Sequence, residues 1–314
     1  MNKMKMIAAS AALAFVAGTA PAADYPTKPV NLYIGYKAGG GTDTVGRVFA
    51  KVLSRELGKQ VNVVNKAGAG GGVAAMLVAR AKPDGYTLLF NPSNSMTAGP
   101  HVTKKVKVKV EDFEYAGMLT AYQPALVAPS DAPFNNFEEF VAYAKANPGV
   151  KYAALHPLSR MAMQIIAKKH GLTINTVPVK GGSGMLNVVL GKQVDLAYSG
   201  GIHTRHPDKI KVLVPLTSER QAATPDLPNL LEQGIEYSAN AMTTLAAPKG
   251  TSADIMSTLA AALKAASADP LIADISAKTK FPIFYRDPAG TVAEMNAQWN
   301  AYKAIVESTG YKAK

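Results

Sequence analysis

The sequence predicts an α/β protein with two lobes, each a mixed, mainly parallel sheet flanked by helices. Strands and helices alternate along the chain, and two successive strand, glycine-loop and helix units stand near its start. Such units favour parallel strands joined by right-handed crossovers. Irregular segments at 120–124 and 237–243 flank a middle block with the pattern of a complete α/β unit. We therefore expect domain I over residues 23–121 plus 244–314, and domain II over residues 122–243.

The first 22 residues are predicted to be a secretory signal peptide that precedes the fold. Lys3 and Lys5 come before the apolar stretch Met6–Ala17, and Ala20-Pro21-Ala22 forms a small-residue cleavage site. Twelve helical residues reach only about 18 Å, too short for a hydrocarbon core of about 30 Å. The chain has no cysteine, which excludes disulfides and a lipid-accepting cysteine. We expect export to the periplasm with cleavage near Ala22.

The charge balance is basic, with 34 Lys+Arg against 22 Asp+Glu and a formal net charge of +12 over 314 residues. The lysines are scattered. Their densest run, Lys104–Lys109, alternates lysine with valine and predicts an exposed strand or extended face. We therefore expect no nucleic-acid partner, and a positive field that draws in small anions.

The predicted elements of the first lobe follow in order. A strand at Val30–Tyr36 leads through glycines into a helix that starts at Thr42 or Asp43 and stops at Gly58. A second strand (61–65), a glycine loop (68–72) and a helix (73–81) follow. Pro83-Asp84-Gly85 then turns the chain into a third strand at 86–90.

The pattern restarts in the middle block and continues to the C-terminus. Asn135 or Asn136 caps a helix, Gly171 stops the next one, and Thr251 or Ser252 caps a long alanine-rich helix. The predicted helices are 136–146, 158–170, 185–190, 251–268 and 291–308, and the predicted strands are 150–155, 174–179, 194–198, 211–216 and 281–285.

The motifs of common enzymes are absent from the sequence. Gly181–Met185 fails the nucleophile-elbow pattern at its last position, and Leu190–Gln193 lacks the hydroxyl and first glycine of a P-loop. Gly68–Val73 has valine at the sixth position of a dinucleotide fingerprint. His203 and His206 lack a carboxylate helix with metal-ligand spacing. We expect no enzyme activity, cofactor or metal.

Two glycine-rich turns carry the chemistry that is present. Gly39–Asp43 and Gly68–Gly72 each lie where a strand ends and a helix begins. Such turns leave amides without partners beside the positive end of a helix dipole, which suits a carboxylate or phosphate. Both loops should open on the same edge of the sheet. The alternative is that Thr42 or Asp43 is only an N-cap and the glycines only make tight turns.

The second lobe offers three further candidates. Arg160, beside Ser159 at a helix start, can pair with a carboxylate or lie on the surface. Lys180–Gly184 is a third glycine-rich turn between a strand and a helix. Asp195 alternates with apolar neighbours, so a buried structural hydrogen bond is an alternative to ligand contact for it.

Seven stretches in order resemble one family, the substrate-binding proteins of tripartite tricarboxylate transporters, also called Bug proteins. They are Tyr25–Val30, Ala38–Asp43, Gly68–Gly71, Pro83–Leu88, Val177–Gly182, Gly191–Leu196 and Ala246–Thr251. The resemblance runs from about Tyr25 to the C-terminus. It implies a periplasmic Venus-flytrap that binds an organic acid in its cleft and delivers it to a membrane permease of one large and one small subunit.

The resemblance also implies where the acid binds. In the family the first two glycine loops grip one carboxylate, partly through ordered water, and the second domain completes the pocket. The candidate ligand-binding residues are Tyr36, Ala38, Gly39, Gly40, Gly41, Thr42, Asp43, Gly68, Ala69, Gly70, Gly71, Ser93, Ser95, Ser159, Arg160, Lys180, Gly181, Asp195 and Ser199.

One stretch departs from the family pattern and leaves the ligand open. Many relatives have a run ending in Ser-His before the second-domain helix, where this chain has Ala154–Arg160. We hypothesise that Arg160 grips the distal carboxylate of a diacid. An aromatic carboxylate is the alternative, with Tyr33, Tyr36, Tyr122 or Tyr198 against its ring.

Two further roles stay open at this point. A ligand sensor for a histidine kinase would use the same cleft with a different output, and a secreted hydrolase would need a site that matches none of the motifs above. A monomer suits the expected role in uptake.

Overall fold

The computed structural model describes residues 25–313 and contains two sheets. The predicted signal peptide at 1–22 lies outside the described residues. The strands are β1 (Val30–Ile34), β2 (Val61–Asn65), β3 (Thr87–Pro92), β4 (Phe113–Ala121), β5 (Ala125–Pro129), β6 (Val150–Ala154), β7 (Ile174–Pro178), β8 (Leu196–Ser199), β9 (Ile210–Pro215), β10 (Met242–Pro248) and β11 (Ile283–Arg286).

Helices cover both sheets. They are α1 (Gly41–Leu57), α2 (Gly72–Ala79), α3 (Asn94–Thr97), α4 (Gly99–Val102), α5 (Phe137–Ala146), α6 (Pro157–His170), α7 (Gly181–Leu190), α8 (Ala253–Ser267), α9 (Pro270–Thr279) and α10 (Pro288–Thr309). Within residues 25–313 no single helix is long and apolar enough for a membrane span, although the bent pair α8 and α9 meets that test together by length and composition only.

The first lobe is a six-stranded sheet in the order β11-β4-β10-β3-β1-β2. Strand β1 pairs in parallel with β2 and β3, and β10 is antiparallel to β3 and β4. Helices α1, α8 and α9 cover one face, and α2 and α10 cover the other. The second lobe has the order β7-β6-β8-β5-β9, with β6 parallel to β7 and β8. The expected α/β fold with two mixed sheets is confirmed, but the sheets are not mainly parallel: four strand pairings are parallel and five are antiparallel, because β10 and β5 run against their neighbours.

The chain crosses between the sheets twice. It leaves the first sheet between β4 and β5, at 122–124, and returns between β9 and β10, at 216–241. Helix α10 then spans both lobes, since Met295 packs in the first lobe and Tyr302 in the core of the second. The domain boundaries at 122 and 243 stay a prediction.

Several elements differ from the sequence prediction. Strands β4, β5 and β10 and helix α9 lie outside the predicted elements, because their pattern does not alternate and their partners are distant in sequence. The Lys104–Lys109 run is not a strand, although its lysines are exposed and Val106 and Val108 are buried. The predicted stops Gly58 and Gly171 are confirmed as left-handed C-caps of α1 and α6.

Candidate functional site

The first glycine loop ends at a helix N-terminus that no side chain caps. Gly40 is the N-cap of α1, with extended backbone and no side-chain hydrogen bond. The amide of Thr44 donates to the Gly40 carbonyl at 2.9 Å, which begins the helical ladder. Within the described residues, the amides of Gly41, Thr42 and Asp43 have no acceptor. These N–H groups stand at the positive end of a 17-residue helix, where an anion binds favourably.

The carboxylate of Asp43 holds the first loop in shape. Its carboxylate accepts hydrogen bonds of 2.9 Å from the Gly39 amide, Arg47 Nε and Asn65 Nδ2. Burial raises the pKa of Asp43, but the hydrogen bonds from Arg47, Asn65 and Gly39 outweigh burial and hold this pKa below its usual value. The ionised carboxylate is 3% exposed and is paired with Arg47, so it does not oppose an incoming anion.

The second glycine loop is a left-handed turn. Successive residues Gly68, Ala69, Gly70 and Gly71 all have positive φ, between 49° and 149°. Tyr36 Oη donates to the Gly70 carbonyl at 2.8 Å, and Asn91 Nδ2 donates to the Gly71 carbonyl at 3.1 Å. Because side chains take up these carbonyls, the loop keeps its amides available. Within the described residues, the amides of Ala69 and Gly70 have no acceptor.

The side chain of Asn91 links the end of β1, which leads into the first glycine loop, to the second glycine loop. Its Oδ1 accepts from the Gly35 amide at 2.7 Å, at the end of β1, while its Nδ2 holds the second loop. The backbones meet so closely that a Cβ on Gly35 would lie 2.6 Å from the Gly71 Cα. Only glycine fits at Gly35, and the side chain of Asn91 is completely buried.

The second lobe presents two more helix N-termini. Helix α7 begins at Gly181 after its N-cap Lys180, and no side chain caps it. Helix α6 begins after His156, whose Nδ1 accepts from the Ser159 amide at 3.1 Å. Burial, aided by the charge of Arg160, lowers the pKa of His156 to about 4, so the imidazole is neutral near pH 7.

These elements surround one cavity of about 540 Å³ between the lobes. The residues that line it, all within 25–313, include no Asp or Glu. Its two lysines, Lys37 and Lys180, come from opposite lobes and are exposed. Another cavity, of about 600 Å³, lies between α6 and Thr309–Lys312 and meets none of the glycine loops described above. Lys168, Lys169 and Lys312 line this second cavity, so side-chain charge does not distinguish the two. The glycine amides and the uncapped helix N-termini favour the cavity between the lobes as the anion site.

Eleven of the predicted residues line this cavity. They are Tyr36, Ala38, Gly40, Gly41, Thr42, Gly68, Ala69, Gly70, Gly71, Lys180 and Gly181. Both glycine loops and the α7 turn thus meet in one space. Their contact with a ligand stays a prediction.

The other eight predicted residues do not line the cavity. Gly39 and Asp43 hold the first loop. Five of the remaining six make internal hydrogen bonds: Ser93 with Gln298, Ser95 with Pro92, Ser159 with His156, Asp195 with Lys151, and Ser199 with His203. Arg160, the sixth, is partly exposed. Any part of theirs in binding stays a prediction.

Sequence reasoning missed several residues that the fold brings to the cavity. Phe281 comes from the segment after α9, and Gly200 and Ile202 follow β8. His156 stands out in the sequence only as part of a divergent stretch, although its position three residues before Ser159 matches a capping box. No local pattern marks Phe281, because its contacts with Tyr122 and Gly201 are distant in sequence.

Comparisons with known proteins show the family and the fold to which this chain is similar. The family model described as "Tripartite tricarboxylate transporter family receptor" matches residues 45–311. A Cupriavidus necator protein, "UPF0065 protein in gbd 5'region", is 34% identical and aligns over 96% of this chain and 94% of its own. The structure of the periplasmic binding protein BugD is 29% identical, with a TM-score of 0.83 over 92% of this chain and 100% of that one.

A third likeness concerns the fold alone. MatC from Rhodopseudomonas palustris, solved with bound malate, is 24% identical, with a TM-score of 0.80 over 90% of this chain and 100% of that one.

Proposed function

This chain belongs to the tripartite tricarboxylate transporter receptor family, and we propose that it captures a small organic carboxylate between its lobes for uptake. The observation that carries the proposal is the meeting of uncapped helix N-termini and glycine amides in one cavity without an acidic side chain. Amides beside a helix dipole bind a carboxylate with charge-assisted hydrogen bonds.

The proposed site draws its selectivity for anions from both lobes. Backbone amides of the two loops take the carboxylate, and the α7 turn faces it across the cleft. Lys37 and Lys180 add positive charge at the exposed edge. Enclosure between the lobes removes water and strengthens each hydrogen bond to the anion.

We further propose export to the periplasm with cleavage near Ala22, and delivery of the ligand, unchanged, to a permease of one large and one small subunit. N-terminal mass spectrometry of the exported protein checks the cleavage. Uptake of a labelled ligand should stop when this chain is deleted and return when it is supplied. Recovery of a chemically altered ligand after incubation with the protein would contradict a role without catalysis.

A thermal-shift screen tests the binding proposal. Mono-, di-, tri- and aromatic carboxylates are compared with their matching primary amides, and the panel includes malate and adipate. A carboxylate at one hundred times its Kd should stabilise the protein by about 2.7 kcal/mol, because it binds the folded state only. Its amide should give no shift. Equal shifts for acids and amides, or no shift with any acid, would overturn the proposal.

A further inference from the structure

His156 presents a fixed hydrogen-bond donor to the cavity. Its Nδ1 accepts from the Ser159 amide, so the hydrogen of the neutral ring is on Nε2. Ser159 Oγ in turn donates to the His156 carbonyl at 2.7 Å and accepts from the His156 amide at 3.1 Å. Within the described residues no acceptor takes the Nε2 hydrogen, and His156 lines the cavity.

The ring of His156 is also held in place. It packs edge to face on Tyr198, with ring centroids 4.9 Å apart and planes at 74°. The second glycine loop touches this side chain: a Cβ on Gly70 would be 3.5 Å from the His156 Cβ. The donor is therefore preorganised beside the loop proposed to bind the carboxylate.

Apolar and aromatic side chains also line the cavity, among them Leu155, Ile202 and Phe281, and its lysines are exposed. Arg160 is not a lining residue. A second ligand carboxylate placed against the neutral imidazole would have no charge to pair with there, and a buried charge without a paired cation is costly.

We infer that His156 is a specificity-determining residue whose Nε2–H donates to an uncharged oxygen on the ligand. The preferred ligand is then a monocarboxylate with an apolar body that carries a hydroxyl, carbonyl or ether oxygen. This inference rests on the proposed function, since it takes the first carboxylate to be bound by the glycine loops. A second carboxylate at His156 is disfavoured, because the neutral imidazole carries no charge to pair with it.

The test compares matched ligands on matched variants by isothermal titration calorimetry. The ligand pairs are benzoate with 3-hydroxybenzoate and phenylacetate with 4-hydroxyphenylacetate, with adipate and malate as diacids. His156→Asn keeps a helix-capping side chain but removes the ring donor. His170→Asn is the control, because it makes the same change at the other end of α6. Circular dichroism checks that both variants fold.

We expect the wild type to bind at least one hydroxylated acid about tenfold more tightly than its parent. His156→Asn should abolish this preference by weakening the hydroxylated acid more than its parent, whereas His170→Asn should keep the preference. Equal losses for both members of a pair, or no preference in the wild type, would overturn the inference. So would a diacid that binds more tightly than every monocarboxylate, although the proposed function would survive. Only failure of all the acids to bind would count against the proposed function itself.

Discussion

At the scale of single residues, buried polar side chains shape the site without belonging to its surface. Asn91 ties β1 to the second glycine loop, and Asp43 ties the first loop to Arg47 and Asn65. Each side chain is buried, so water cannot replace the hydrogen bonds that it makes. Positions behind the wall therefore affect ligand binding as well as stability.

Replacement of Asn91 by alanine should lower the stability of the protein and weaken its binding of the ligand. Asn91→Ala leaves the buried Gly35 amide without its acceptor and the Gly71 carbonyl without its donor. We expect a loss of about 2–3 kcal/mol in unfolding free energy and weaker carboxylate binding. Urea unfolding and calorimetry measure these changes. The control Asn175→Ala removes one exposed bond to Gly149 and should change stability by less than about 0.5 kcal/mol. Equal effects of the two variants would contradict this role.

Buried histidines should make the fold sensitive to mild acid. Burial lowers the pKa of His156 and of His203 to about 4, and it also lowers the pKa of His101 and His170. Between the unfolded value near 6.5 and about 4, the unfolded chain binds protons that the folded chain does not. The unfolding free energy should therefore fall as the pH falls from 6.5 to 4.5.

Urea unfolding at several pH values tests this dependence. His156→Asn removes one of these titrating groups. It should therefore reduce the slope of unfolding free energy against pH by the contribution of one proton, which is about 1.4 kcal/mol per pH unit at most. A slope that is the same in wild type and variant would show that His156 does not contribute.

At the scale of elements, the strand, glycine-loop and helix units could be predicted, because each carries its signals locally. The Gly58 stop and the Ser252 cap each rest on residues within a few turns of the chain and agree with the structure. Strands β4 and β10 could not be predicted, because they are stabilised by each other across more than one hundred residues. The part of the cavity wall that Phe281 forms could not be predicted either, because the contacts of Phe281 are also distant in sequence.

Phe281 makes a contact between lobes at that wall. Its ring touches Gly41 at the α1 N-terminus and Gly201 after β8, and it packs on Tyr122 with centroids 4.9 Å apart. Nearby, Thr204 Oγ1 donates to the Thr279 carbonyl at 2.9 Å. The close approach depends on Gly201, where a Cβ would lie 2.2 Å from the ring.

Replacement of Gly201 by alanine should push the Phe281 ring away from residue 201. Gly201→Ala combines a positive φ of 121° with a clash against a buried ring, so we expect about 1–3 kcal/mol more destabilisation than backbone strain alone gives. Gly250→Ala is the control, with φ of 88° and no atom closer than 4.0 Å. Thermal unfolding measures the loss of stability, and calorimetry measures ligand affinity. The affinity should fall for Gly201→Ala only. Identical behaviour of the two variants would exclude a role for the Phe281 contact.

At the scale of the whole molecule, two sheets, two crossings and α10 place the glycine loops opposite the α6 and α7 N-termini. The sequence could predict two lobes and the loops, and resemblance could predict their common target. The sequence could not show that His156 lines the cavity and Arg160 does not, because that depends on how α6 is oriented against the first lobe.

The central claim is that backbone amides at the α1 N-terminus bind the ligand's carboxylate. The variant Gly40→Asp tests it most directly. Gly40 has an extended backbone that accepts a side chain, with the Lys37 carbonyl 3.3 Å from the new Cβ. An aspartate at the N-cap accepts from the Thr42 or Asp43 amide, so it occupies the proposed site with a tethered carboxylate.

The measurement is the affinity of Gly40→Asp for the best carboxylate of the screen, beside the control Ser252→Asp. The control places the same charge at the exposed N-cap of α8, where Ser252 already accepts from the Ile255 amide. We predict that Gly40→Asp keeps the wild-type unfolding free energy to within about 0.5 kcal/mol and loses ligand binding, while Ser252→Asp binds as the wild type does. Undiminished affinity in a folded Gly40→Asp protein would contradict the account.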